Sequence, residues 1–278
     1  MFNFAIVYLV SLLAAGPVVN GMPSTTSDFS TRVSRDSNLT TPDIAAIMAV
    51  PTTAFTSYTD GGLVRAPIVD ESALRKRCST NPILTWGDDD NGGLGVTITN
   101  ADSDWRGFYI YQNSCDDYPY KYVWINAGAT EFVSLPAGFE GRITRGQDAY
   151  NLVGTPQLLA TWFEITIDQY NVMWSDISLI RGCDGAALIW ALDNSGGWKG
   201  FTQWILDGAP EGAYDMKTDG QWVLKYTENS DGSINTIPRD WDIAEVGTEY
   251  VYVDDAHVAP VISSQNGRMG SYWPAGRV

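Results

Sequence analysis

Residues 158–192, with the sequence LLATWFEITIDQYNVMWSDISLIRGCDGAALIWAL, decide the fold of this chain. Phe163, Ile165 and Ile167 alternate with other side chains, so one face of this segment is apolar while the other carries Glu164. A period of two residues indicates a β-strand, because successive side chains point to opposite faces of a sheet. The segment is therefore predicted to be a strand that buries one face.

The residues that follow predict two more strands. DQYN at 168–171 is typical of a turn, and the apolar residues 177–180 predict a second strand that begins just after Asp176. Two glycines and an aspartate then precede a third apolar run, residues 186–192. The result is a buried meander in which Glu164 and Asp176 lie near the ends of adjacent strands.

The rest of the chain after residue 78 has the same character. Further strands are predicted at 94–99, 108–112, 120–125, 131–135, 140–144, 201–205, 221–226, 242–244 and 250–253. Gly, Asn, Asp or Pro separates them, and no segment sustains a helical period with capping residues. Many short strands at regular spacing predict an all-β fold, a sandwich or a barrel.

Composition divides the chain into four parts. Residues 1–21 contain an apolar run at 4–15 followed by small residues, which predicts a secretory signal peptide. Residues 22–77 are rich in Ser, Thr and Pro and are predicted to be a low-complexity pro-segment or linker. Residues 78–258 are predicted to form the β domain, and residues 259–278 a loosely ordered tail.

The charge distribution excludes some partners. The formal net charge is −16, and all of it falls after residue 77, because the first 77 residues contain six basic and six acidic side chains. Such an acidic domain repels nucleic acid and anionic membranes, so neither is expected as a partner. The cluster Arg75-Lys76-Arg77 is either a processing site or a chance basic cluster in a linker.

Cysteine and histidine counts bear on disulfides and metals. Cys78, Cys115 and Cys183 allow one disulfide in an oxidising compartment, and the sequence leaves the pairing open. His257 is the only histidine and no metal-ligand spacing occurs, so neither a metal nor a cofactor is expected. The acidic run at 88–92 resembles the start of a calcium loop but is more typical of a solvated turn.

Several segments resemble the thaumatin-like (osmotin-like) family. GVTITN at 95–100, GRITR at 141–145, FEITI at 163–167 and DISLIRG at 176–182 follow that family's motifs in order and approximate spacing. The resemblance implies an antiparallel thaumatin-like β-sandwich with an acidic cleft that binds β-1,3-glucans. In some members the cleft has weak endo-β-1,3-glucanase activity. Three cysteines mark this chain as a divergent member, since the plant proteins have many disulfides.

The resemblance also implies a set of site residues. The family's cleft contains one Arg, one Glu and three Asp, which fall here on Arg142, Glu164 and Asp176 for the first three. Arg181 stands at the position of the second Asp, and Asp184, three residues later, is a candidate replacement. Glu164 and Asp176 are thus the expected catalytic residues, and the other three are expected to bind substrate.

Glycoside hydrolysis requires two carboxyl groups with different roles. One donates a proton to the leaving oxygen, and the other activates water or attacks the anomeric carbon. Glu164 needs a raised pKa to be the acid, and Arg142 paired with Asp176 would keep that second group charged. Arg181 adds a positive charge and is expected to hold both carboxyl groups ionised, which favours an ion-pair network over acid catalysis.

Three interpretations of these residues follow: a structural salt-bridge network, sugar binding without turnover, and hydrolysis. The leading hypothesis is a secreted, monomeric protein that binds a polysaccharide such as β-1,3-glucan in an acidic cleft, with weak endo-glucanase activity left open. The alternative is a non-catalytic secreted defence, virulence or host-interaction protein on the same scaffold, which predicts an exposed apolar patch outside the cleft. A structural wall or spore protein is a third hypothesis.

Overall fold

The alternating segments form strands in the computed structural model, which describes residues 78–156, 159–257 and 260–278. The first strands in these ranges are β1 (Ile83–Thr85), β2 (Gly95–Asn100), β3 (Arg106–Gln112), β4 (Lys121–Ile125), β5 (Thr130–Ser134), β6 (Glu140–Gly146) and β7 (Trp162–Ile167). The later strands are β8 (Met173–Ser178), β9 (Leu188–Ala191), β10 (Trp198–Gly200), β11 (Tyr214–Met216), β12 (Trp222–Leu224), β13 (Ile262–Ser264) and β14 (Arg268–Trp273). Two helices accompany them, α1 (Asp148–Asn151) and α2 (Thr236–Glu245).

The strands form two large sheets and a hairpin. A seven-stranded sheet has the order β1-β4-β3-β6-β7-β8-β13, a five-stranded sheet has the order β10-β9-β14-β2-β5, and β11 pairs with β12. The predicted all-β sandwich is confirmed. Its strands are mainly antiparallel, but β1 pairs with β4 and β14 pairs with β2 in parallel.

The core lies between the two large sheets. Phe108, Ile143 and Phe163 of the seven-stranded sheet are fully buried, and the ring of Phe108 lies 5.4 Å from that of Trp273 in the five-stranded sheet. Burying a side chain of this size stabilises the fold by about 2 kcal/mol relative to leaving it exposed. The same strands carry polar residues on the opposite side of the seven-stranded sheet, here called its outer face.

The segment at 201–257 differs from the strand predictions. The strand predicted at 242–244 is wrong, because these residues belong to α2. Pro238 lies in the first turn of that helix, where its missing N–H would have no partner in any case. Residues 201–205 form no strand, and in 250–253 only Tyr252 makes a bridge, to Ser178.

The prediction of a loosely ordered tail at 259–278 is wrong for the described residues 260–278. β13 extends the seven-stranded sheet next to β8, and β14 lies in the interior of the five-stranded sheet between β9 and β2. Residues 269–273 are all buried. A strand covered on both faces has no alternation of polar and apolar residues, so the sequence gives little sign of it.

The cysteine pairing is Cys78 with Cys115, whose Cα atoms are 5.4 Å apart. Cys183 is a buried free thiol, and its burial raises its pKa to about 12. A thiol that stays protonated at neutral pH is a poor nucleophile, so Cys183 has a packing role.

The signal peptide predicted at 1–21, the segment at 22–77 and the basic cluster at 75–77 lie outside the described residues. Within the described ranges, no helix has the length and apolar character needed to cross a membrane.

Asp242 of α2 is buried without compensation. It is 1 % exposed, and neither carboxyl oxygen has a hydrogen-bond partner in the part of the chain that the structure describes. Burial raises its pKa well above the usual value, so the folded protein keeps this proton at a pH where the unfolded chain has lost it. Below the pKa that Asp242 has in the unfolded chain, both states bind the proton and folding is not penalised. As the pH rises above that value, the free energy of unfolding falls.

We therefore expect Asp242→Asn to raise the free energy of unfolding at pH 7 by about 1–2 kcal/mol, and to change it little at pH 4. Urea denaturation of both proteins at the two pH values measures this difference. A variant that is less stable than the parent at pH 7 would contradict the assignment of a buried, uncompensated acid.

Candidate functional site

Four polar or aromatic residues lie in one row across the outer face of the seven-stranded sheet. The strand register places Tyr111 of β3 opposite Arg142 of β6, Arg142 opposite Glu164 of β7, and Glu164 opposite Asp176 of β8. Directly opposed residues share a face of the sheet, with Cβ atoms about 5 Å apart. The two carboxyl groups are therefore neighbours on one surface, the outer face of the seven-stranded sheet, and do not lie between the two large sheets.

Both carboxyl groups are only partly exposed. Glu164 accepts a hydrogen bond from the side chain of Ser178, whereas Oδ1 of Asp176 is buried with no hydrogen-bond partner among the described residues. A buried polar atom without a partner is uncommon in a folded protein and costs about 1–3 kcal/mol. The unsatisfied acceptor thus lies just below a surface on which both side chains are partly exposed.

Burial controls the protonation of the pair. It raises the pKa of Glu164, although the hydrogen bond from Ser178 and the charges of Arg142 and Arg181 act in the opposite direction. Burial and the neighbouring charge of Glu164 raise the pKa of Asp176 well above its usual value. Desolvation thus opposes the effect expected of Arg181, because it raises both pKa values while the positive charges act to lower that of Glu164.

The side chain of Arg142 belongs to the same face of the sheet but is covered by neighbouring residues. It is 3 % exposed, its Nη1 lies 2.7 Å from Oδ1 of Asp116, and its guanidinium stacks 4.0 Å from the ring centre of Trp162 and 4.8 Å from that of Tyr111. Arg142 therefore pairs with Asp116 and with neither of the two carboxyl groups considered from the sequence. Arg142 influences the carboxyl groups through its charge, and its burial argues against direct contact with a substrate.

The segment beyond β8 forms the other side of the site. Arg181 is partly exposed and donates from Nη1 to the carbonyl oxygen of Glu228 at 3.5 Å. Tyr252 bridges to Ser178 and donates its hydroxyl to Asp255. Burial, the Asp255 hydrogen bond and the charges of Asp176 and Glu164 raise the pKa of Tyr252, so this phenol stays protonated. Tyr252 thus lies close to the carboxyl pair, and the surface that Glu164, Asp176 and Tyr252 form is called the groove below.

Asp184 does not belong to this groove. It is fully buried, with its carboxyl oxygens 3.3 Å from Nε of Arg145 and 3.2 Å from Nζ of Lys217. The backbone N–H of Thr161 also donates to it. The expectation that Asp184 contacts substrate is wrong, because the chain turns inward between Gly182 and Gly185 and seals this side chain in the interior.

Trp174 is a site residue that the sequence analysis did not single out. It lies on β8 two residues before Asp176, is 38 % exposed, and shares the outer face with the carboxyl pair. The sequence does contain the signal, since residues two apart on a strand point to the same side.

The acidic run at 88–92 borders a separate, open depression of about 620 Å³, which Gly87 and Phe132 also line. Two of its charges are neutralised, since Nζ of Lys121 lies 2.7 Å from Asp88 and Nη2 of Arg268 lies 2.6 Å from Asp90. Across residues 78–156, 159–257 and 260–278, no group of three or more His, Cys, Asp or Glu side chains is arranged to hold a metal ion. The calcium-loop interpretation therefore has no support here.

The solved structures that are similar to this chain include two weak likenesses. The thaumatin-like xylanase inhibitor TLXI matches at 11 % identity and a TM-score of 0.35, over 64 % of this chain and 97 % of that chain. The protein elicitor MoHrip2 from Magnaporthe oryzae matches at 9 % identity and a TM-score of 0.30, over 48 % of this chain and 90 % of that chain. Both TM-scores lie below 0.5, so these two likenesses carry no argument about family or function. No protein-family model and no curated protein matches the chain.

Proposed function

We propose that this chain is a secreted protein that binds a neutral cell-wall polysaccharide of the β-1,3-glucan type in the groove beside Glu164 and Asp176. The observation that carries the proposal is the pair of adjacent carboxyl groups on an open sheet face, one with a buried oxygen that lacks a partner. The Cys78–Cys115 disulfide supports an oxidising, extracellular compartment.

The protonation of the pair suits sugar hydroxyl groups. With one proton retained, the pair offers both a hydrogen-bond donor and acceptors, and a hydroxyl group of a sugar needs both. The net charge of −16 and the retained negative charge disfavour acidic polymers. A neutral glucan can form hydrogen bonds with the exposed parts of both carboxyl groups without bringing a repelling charge.

The same arrangement supports slow hydrolysis as an accompanying activity. Asp176 has the more strongly raised pKa and is the proton donor, while Glu164, next to two arginines, is the nucleophile, because directly opposed side chains leave little room for a water between them. The Asp176 proton passes to the glycosidic oxygen as Glu164 bonds to the anomeric carbon and the glycosidic bond breaks. Water then gives a proton to Asp176 and bonds to that carbon, which releases Glu164. These roles reverse those expected from the sequence.

Laminarin, a soluble β-1,3-glucan, tests both parts of the proposal. Residues 78–278 are expected to bind laminarin in isothermal titration calorimetry. Glu164→Gln and Asp176→Asn are each expected to weaken binding about ten-fold, because each replaces a carboxyl oxygen that can accept a hydrogen bond with an amide nitrogen that only donates. Any release of reducing sugar is expected to fall at least about 100-fold in both variants.

Asp104→Asn is the matched control, because Asp104 is an exposed acid on the loop before β3. It should bind like the parent. A domain that binds no β-1,3-glucan, or carboxyl variants that bind as well as the Asp104→Asn control, would contradict the proposed function.

An exposed apolar patch favours a second candidate function, that of a non-catalytic interaction protein. Trp86 and Trp105 are 63 % and 50 % exposed and pack edge to face with ring centres 6.4 Å apart, next to the exposed Leu84 of edge strand β1. Large exposed apolar groups in contact are typical of protein-binding surfaces. If this patch is the functional surface, Trp86→Ala is expected to weaken binding to a protein partner, whereas Asp176→Asn is not.

A further inference from the structure

We infer that Trp174 is the stacking platform of the groove, and that it directs the groove towards neutral pyranose chains and away from uronic-acid chains. This inference rests on the proposed function of the same site and adds the residue that determines specificity. Three features of the described residues carry it: the position of the ring, the way in which it is held, and the charges around it.

The ring lies directly next to the carboxyl pair on an open surface. The strand register places Trp174 opposite Thr166 of β7 and opposite Ser263 of β13, so this row is adjacent to the row that contains Glu164 and Asp176. Residues two apart on a strand are separated by about 7 Å. A sugar ring that lies on the indole therefore brings the adjoining glycosidic bond within reach of Asp176.

The indole is held in one orientation by the hairpin that joins β7 to β8. Its Nε1 donates to Oδ2 of Asp168 at 3.2 Å, while Oδ1 of Asp168 accepts the backbone N–H groups of Tyr170 at 2.8 Å and Val172 at 3.0 Å. An aromatic side chain fixed before the ligand arrives loses little rotamer entropy on binding. This distinguishes Trp174 from an apolar residue that is exposed by chance.

The charges around the ring favour a neutral ligand. Glu164 and Asp176 lie in the next row, Asp168 holds the indole, and the exposed Glu140 lies in the same row as Trp174 on β6. Carbohydrate C–H groups bind the face of an indole through dispersion and through the negative charge of the ring face. A carboxylate on the sugar would meet several acidic side chains, so a uronic-acid chain is disfavoured.

The test uses a β-1,3-glucan hexasaccharide and a polygalacturonate hexasaccharide, titrated calorimetrically into the mature protein. We expect Trp174→Ala to weaken binding of the glucan about ten-fold or more, and Trp174→Phe, which keeps an aromatic face, to weaken it about three-fold or less. Met216→Ala is the matched control, because it removes another large exposed apolar side chain, on the separate β11–β12 hairpin, and should leave the affinity unchanged.

The holding role of Asp168 has its own readout. Asp168→Asn is expected to weaken glucan binding about three-fold in the parent but not further in the Trp174→Ala background, because the effect acts through the indole. Near-ultraviolet circular dichroism establishes that each variant is folded.

The outcomes separate this inference from the proposed function. If the parent binds no glucan, the proposed function fails. If the parent binds glucan and Trp174→Ala binds it equally well, or if the parent prefers the galacturonate chain, the inference about Trp174 is overturned while glucan binding stands.

Discussion

Asp184→Ala is expected to lower the free energy of unfolding by about 3–5 kcal/mol, because it leaves the buried Arg145 without its counter-charge and the buried Lys217 with only the more distant Asp219. The side chains of Asp184, Arg145 and Lys217 are almost completely buried, and the two cations contact opposite oxygens of the one carboxylate. Urea denaturation followed by tryptophan fluorescence measures the change, with an unchanged slope if the native state is otherwise preserved.

Asp240→Ala is the control for this prediction. Asp240 lies 2.7 Å from Arg239, but its side chain is largely exposed, so water replaces the lost partner and the unfolding midpoint should barely move. An Asp184→Ala protein that is as stable as Asp240→Ala would show that the buried network contributes nothing. Asp184 would then have to be reconsidered as a residue of the groove.

Deletion of residues 258–278 is expected to abolish cooperative folding. It removes β14 from between β9 and β2, which exposes the backbone hydrogen-bonding groups of both strands, and it removes the buried Trp273 from its contact with Phe108. The deleted chain should show no near-ultraviolet circular dichroism and no sigmoidal unfolding in urea.

Trp273→Ala separates the strand from its largest side chain. It keeps the β14 backbone and is expected to cost about 3–5 kcal/mol, with a cooperative transition retained if the parent is stable enough. A deleted chain that still unfolds cooperatively would restore the interpretation of these residues as a loose tail.

The carboxyl pair was predictable because two simple patterns coincide in residues 158–192. Alternation assigns Glu164 to the face opposite Phe163, and the turn at 168–171 brings Asp176 back alongside it. The boundary of β8 was less accurate, since the strand begins at Met173 and not at Ile177. Because β8 begins four residues earlier than predicted, Trp174 lies on the same face of the strand as Asp176.

The partners of the charged residues could not be predicted. Asp116, which pairs with Arg142, lies on a loop 26 residues earlier, and no periodic pattern connects the two. Asp184 lies between Gly182 and Gly185, and the positive φ angles of these two glycines set the direction of the chain there. Many sequences contain such glycines, so their presence does not predict that direction. Whether a carboxylate faces water or the interior is decided there by packing, and not by its neighbours in the sequence.

The protonation of the site also depends on packing. From charge alone, Arg142 and Arg181 favour ionised carboxylates, and that was the expectation from the sequence. The surrounding strands remove water from Glu164 and Asp176, and this desolvation raises both pKa values. The sequence shows which residues are charged but not how deeply their side chains are buried.

Carboxyl-carbon NMR tests most directly whether Glu164 and Asp176 bind a glucan together. Side-chain ¹³C carboxyl resonances are assigned through Glu164→Gln and Asp176→Asn and followed while a β-1,3-glucan hexasaccharide is added. We predict that both resonances shift and saturate together with the calorimetric binding curve. Saturated binding that leaves both resonances in place would show that the sugar binds elsewhere.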